Sequence, residues 1–87
     1  MASTAFDALE KDWASANRYT AAADVDVLLS NSSNAFAFFA ITDSDDAPAV
    51  EPRRAHPLQP MSSRAMQLKA GERLWVAGAN AYAVIEA

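Results

Sequence analysis

At 87 residues the chain has room for one small domain, and a composition 52% hydrophobic and 21% charged is that of a folded protein, not a disordered one. Its formal charge of -4 disfavours phosphate backbones as partners, and no apolar run approaches the roughly 18–20 residues needed to cross a bilayer. With no cysteine there can be no disulfide, iron–sulfur cluster or thiolate zinc site, so partner subunits are the expected supplement to a limited core.

Residues 1–20 read as an N-terminal helix or extended arm ahead of a single small β domain over 21–87. The first twelve residues carry no basic cluster followed by an apolar core, so no secretory signal is expected. Over residues 3–16, Ser3 or Thr4 is placed to cap a short helix, with Asp7 positioned to complete the cap. Phe6, Leu9 and Trp13 then fall at i, i+3 and i+7 on one helical face. An isolated helix of this length is marginal in water, so the stripe must dock, either on the domain's own sheet or on a neighbouring subunit. Phe6, Leu9 and Trp13 are accordingly candidate interface residues.

From Asp24 the period changes to two. Asp24–Leu29 alternates acidic and apolar residues and breaks at Ser30-Asn31-Ser32-Ser33-Asn34, and a second strand follows over Ala35–Ile41. The two are expected to form a hairpin. Phe36 and Phe38 face one side of that second strand, Phe39 and Ile41 the other, so both of its faces are apolar.

Thr42–Asp46 is acidic and polar, and residues 47–61 hold all four prolines: Pro48, Pro52, Pro57 and Pro60. Such spacing disfavours helix, so 43–62 reads as a long extended loop with Arg53, Arg54 and His56 as its candidate contacts. Arg53 and Arg54 are the only adjacent cations, too small a basic patch to predict direct nucleic-acid binding. Asp43, Asp45 and Asp46 alternate as calcium ligands can, but the glycine and distal glutamate of an EF-hand loop are missing, so a solvated acidic turn is expected.

Lys69-Ala70-Gly71-Glu72 marks a turn between strands at Arg64–Leu68 and Arg73–Ala77, and Gly78-Ala79-Asn80 leads into a last strand at Ala81–Ile85. The last two of these strands are again apolar on both faces, Leu74 and Val76 against Trp75 and Ala77, and Tyr82 and Val84 against Ala83 and Ile85, although one sheet over one core needs only one. Either the chain's own elements cover the surplus, or it is an interface. Trp75 and Tyr82 form a candidate ligand platform on which a sugar could stack. The fold expected from all of this is all-β, a small antiparallel β-sandwich or barrel with the N-terminal helix or arm packed against it.

Catalytic constellations are missing. The one histidine, His56, has no cysteine partner and no specific serine–carboxylate arrangement, and alone it makes a poor metal site. The two glycines, Gly71 and Gly78, are too few for a phosphate-cradling loop. No catalytic residue, metal or cofactor is expected.

Val27-Leu28-Leu29-Ser30-Asn31-Ser32-Ser33 leading into an apolar strand, an acidic proline-bearing loop, and Leu68-Lys69-Ala70-Gly71-Glu72-Arg73-Leu74-Trp75-Val76 before a final alternating strand together resemble the small virion structural proteins of tailed bacteriophages. The resemblance spans most of residues 24–86 and rests on an asparagine–serine turn and an Ala-Gly-Glu turn. It implies a capsid decoration or cement protein, located on the capsid surface of the virion, that binds the major capsid protein or another virion protein and bridges neighbouring subunits. It also implies a homo-oligomer, no chemical step and no cofactor. Two alternatives are a head-fibre or tail module that recognises a host surface glycan through Trp75 or Tyr82, and a small cupin-like enzyme.

Overall fold

The computed structural model describes residues 2–87. Eight strands form, β1 (Ser3–Phe6), β2 (Arg18–Thr20), β3 (Val25–Asn31), β4 (Ala37–Thr42), β5 (His56–Leu58), β6 (Ser62–Leu68), β7 (Arg73–Ala77) and β8 (Ala83–Glu86), with single 3-10 turns at Ser15–Asn17 and Pro52–Arg54. They pair antiparallel into two sheets, β1-β8-β3-β6 and β2-β7-β4-β5. Every connection except β4–β5 passes from one sheet to the other. This strand order is that of an eight-stranded jelly roll, and the expected all-β sandwich is the fold that forms. Among the described residues no helix is long and apolar enough to cross a membrane.

The core follows from the period of two. Val27 and Leu29 of β3, Phe39 of β4, Leu74 and Val76 of β7, and Ile85 of β8 point between the sheets, joined by Leu68 at the end of β6. Leu29, Leu68, Leu74 and Val76 are wholly removed from water. Each such side chain contributes about 1.5–3 kcal/mol of burial free energy, the main return against chain entropy in a domain without covalent staples.

The N-terminal segment is extended, not helical. β1 pairs with β8 from Ser3↔Glu86 to Phe6↔Ala83, and Ala2 and Ala87 continue the ladder with reciprocal bonds of 2.8 and 2.9 Å. β2 adds to the other sheet beside β7. Phe6 and Leu9 reach the core from this extended backbone, both 7% exposed. A strand edge supplies ladder partners for residues 2–6 and 18–20, whereas a helix this short would leave its terminal groups unpaired.

β3 and β4 are not a hairpin. β3 lies between β8 and β6 in one sheet, and β4 between β7 and β5 in the other. Residues 32–36 carry the chain across the sandwich; five residues reach at most about 17 Å, enough for sheets packed roughly 10 Å apart. Nor is 43–62 loop throughout. Pro52 starts a 3-10 turn, where its missing N–H costs nothing, and Pro57 sits in β5, an outer strand with one side free of ladder bonds.

One polar side chain closes the end of the sandwich where these segments meet. Asn31, 1% exposed, donates from Nδ2 to the carbonyls of Ala35 at 2.8 Å, Leu58 at 3.1 Å and Gln59 at 3.3 Å. Its Oδ1 accepts the backbone N–H of Ser33 at 3.0 Å and the Ser33 hydroxyl at 2.6 Å. The Ser33 bond is an Asx turn that redirects the chain out of β3, and the Leu58 bond ties one sheet to the other. Buried donors and acceptors are satisfied here at one point for three segments.

Replacing Asn31 with alanine strands these groups, and the expected loss is about 2–4 kcal/mol by urea denaturation. Asn31→Asp sets a carboxylate against three carbonyl oxygens, which raises its folded-state pKa. Its deficit therefore grows as pH rises above the ordinary carboxylate range, and the denaturation midpoint should fall further at pH 7 than at pH 4.

Candidate functional site

The β2-β7-β4-β5 sheet carries apolar residues on its outer face as well as its inner one. Register places Arg18 beside Trp75 and Trp75 beside Ala40, with Phe38 beside Ala77 further along. At one end this face is covered by the chain itself. Trp75 is 2% exposed; its indole N–H donates to the Thr42 hydroxyl at 2.8 Å, and the Arg18 guanidinium lies 5.0 Å from its ring centroid. Asp45 of the acidic turn bridges Arg18 at 3.5 Å and Arg73 at 3.0 Å. The backbone carbonyls of Asp45 and Asp43 accept further bonds from Arg18 and Arg73. The acidic turn thus serves as a clasp over the sheet, its central carboxylate engaged by two arginines.

At the other end the face stays open. Phe36 is 50% exposed and Phe38 half-buried, and together they floor a cleft of about 490 Å³. One wall is Lys11 and Asp12 from the β1–β2 connection; another is Glu51, Pro52 and Arg53 from the β4–β5 connection; Gly78 and Ala79 close the third side. The walls hold one another: the Trp13 indole N–H donates to the Val50 carbonyl at 2.8 Å, and Gly78 N–H to the Glu10 carbonyl at 2.8 Å. Arg53 and Glu51 pair at 3.2 Å with both side chains largely in water, which contributes little stability but leaves charges of both signs on the rim.

Gly78 makes this approach possible. Its φ is +151°, and a Cβ there would lie 2.7 Å from the Phe36 carbonyl oxygen and 3.1 Å from the Ala37 Cα. Backbone, which cannot move aside as a side chain can, occupies the space.

The residues singled out from sequence are dispersed by the fold. Phe6 and Leu9 belong to this domain's own core and are not an outer contact surface. Trp13 is half-buried and clamps one wall of the cleft, and Arg53 stands on its rim. Arg54 is exposed, and His56 lies on β5, its ring stacked on Phe39 with centroids 5.2 Å apart. Trp75 is unavailable as a stacking platform because Arg18 and Thr42 cover it, whereas Tyr82, in the β7–β8 connection, is 45% exposed. Phe36 and Phe38 were visible as one apolar face of a two-faced strand, but their remaining open depended on where the loops came to rest.

Chemically, the arrangement is a socket: an aromatic floor for an apolar side chain, with mixed charge around it to orient polar flanks. Among the described residues no three His, Asp or Glu side chains converge as a metal site.

Gly78→Ala should destabilise the domain by about 3 kcal/mol and disturb the cleft, read by thermal denaturation and by amide shifts at Phe36 and Glu10. Trp13→Phe keeps the ring and removes one hydrogen bond; about 1 kcal/mol should be lost, with faster hydrogen exchange confined to the loops around Trp13 and Val50. Compared with protein-family models, curated proteins and solved structures, the chain matches none.

Proposed function

We propose that this chain is a non-enzymatic structural subunit of a phage virion, a capsid decoration or cement protein that binds the shell and bridges its subunits. The observation that carries the reading is the open Phe36–Phe38 cleft, built by two loops clamped together on the outer face of a sheet. A half-exposed phenylalanine is poorly placed for a free monomer and well placed as one half of an anchor contact. The space between the sheets supports binding over catalysis, because it is filled by Leu29, Leu68, Leu74, Val76 and Ile85. Jelly rolls serve viral capsids, lectins and cupins alike, so the architecture is compatible with this role without selecting it. A chain of this size gains little from any one contact, and repeated copies on a symmetric shell act together through avidity.

Co-sedimentation with purified phage shells, alongside light scattering of the free protein across a concentration series, tests the proposal. Shell binding is expected, together with a higher temperature for shell opening. Phe36→Asp should weaken binding at least tenfold while leaving the circular dichroism spectrum unchanged. A protein that stays monomeric and does not bind shells, or shell binding that Phe36→Asp leaves unchanged, would overturn it.

A further inference from the structure

A second cleft opens on a different part of the sandwich. β5 and β6 are outer strands of the two sheets, and Phe39, Ile41, His56, Arg64 and Met66 line a space of about 290 Å³. Phe39, 4% exposed, anchors it. His56, opposite Phe39 in the β4–β5 register, stacks on that ring at an interplanar angle of 30°. From β6 the Arg64 guanidinium lies 5.7 Å from the same ring centroid. Ile41, 41% exposed, and Met66 supply apolar walls.

Charge distinguishes this cleft from the rest of an acidic surface. No carboxylate lines it. Arg18, Arg53 and Arg73 each have a carboxylate within 3.5 Å, whereas Arg54 and Arg64 have none among the described residues, and of those two only Arg64 lies over an aromatic ring. A guanidinium over an aromatic ring, with no acceptor of its own, has N–H groups left to receive a carboxylate through two parallel bonds.

Size and neighbourhood indicate what the carboxylate is attached to. The space is below the roughly 300–1,000 Å³ of pockets that enclose a whole small molecule, but it holds one side chain. Beside it runs β6, a seven-residue outer strand without proline, while β1, β2 and β5 have four, three and three residues. A long unblocked strand edge is a template for an added strand, and a pocket beside it selects that strand's side chains.

We propose that the mouth between β5 and β6 docks an extended acidic segment of a partner polypeptide. The segment adds to the β6 edge, lays an apolar side chain against Phe39, Ile41 and Met66, and sets a carboxylate on Arg64. This site is independent of the Phe36–Phe38 cleft and of the shell-binding reading.

The test is an NMR titration of the isotopically labelled full chain with an acetylated, amidated peptide of sequence Thr-Phe-Thr-Glu-Thr-Glu, in which the phenylalanine and both glutamates share one face of an extended strand, as Arg64 and Met66 share one face of β6. Saturable shifts confined to β5, β6 and residues 39–41 are expected. Arg64→Gln should weaken binding roughly tenfold and Arg64→Lys less; replacing both peptide glutamates with glutamine should match the Arg64→Gln loss, and about 0.5 M salt should weaken binding. Arg64 is exposed, so these variants retain the fold, which the unperturbed spectrum checks. Shifts centred on Phe36 and Phe38, or equal binding by Arg64→Gln or by the glutamine peptide, would overturn the proposal. Tighter binding of phenylacetate than of the peptide would do the same, by making the cleft a small-molecule site. None of these results bears on shell binding, so the two proposals fail separately.

Discussion

The closure of the sandwich at Asn31 is the constraint on which the rest of this domain depends. Its amide spans the end of β3, the crossover into β4 and the turn between β5 and β6, and it does so from a fully buried position. The network stabilises the fold by leaving no buried polar group unpaired, and that same requirement makes it specific. A slip of β3 by one residue would send the amide to the outer face and strand the carbonyls of Leu58 and Ala35. In a chain without disulfides, this polar junction holds the two sheets in register where a covalent staple otherwise would.

The outer face of the β2-β7-β4-β5 sheet develops from that arrangement. With six of seven connections crossing between sheets, the chain has only two long connections, and parts of both come to rest on the same face. The acidic turn draws Arg18 and Arg73 together through Asp45 and shuts the face over Trp75. The Trp13–Val50 bond and the bare backbone at Gly78 hold the remaining loops around Phe36 and Phe38 without covering them. A single apolar face is therefore core-like at one end and a socket at the other. The distinction is local: a tryptophan with its indole N–H satisfied is buried at one end, while at the other a phenylalanine beside mixed rim charges stays half-exposed.

The two clefts have different characters. One has an aromatic floor under charges of both signs; the other has an aromatic floor under His56 and Arg64 with no acid in its lining.

Local chemistry alone determined that this chain would be all-β. The period of two in 24–29, the short continuous apolar runs at 35–41 and 74–77, and the turn residues that bound them at 30–34 and 69–72 are properties of adjacent residues, and strands respond to them directly. Apolarity on both faces of β4 and β7 left open whether the chain's own elements or an interface would cover the second face, and the loops cover it over Trp75 but not over Phe36. Strand partners were another matter. Asp24–Leu29 and Ala35–Ile41 look like a hairpin because they are adjacent, yet β3 pairs with β6 and β8, and β4 with β5 and β7, and no periodicity encodes that choice. Phe6 and Leu9 suit a helical stripe equally well as an extended edge, and only the unfilled side of β8 decided between them. Whether Trp75 or Phe36 would meet solvent was decided by where two loops settled, which is long-range contact energy and therefore belongs to the tertiary structure.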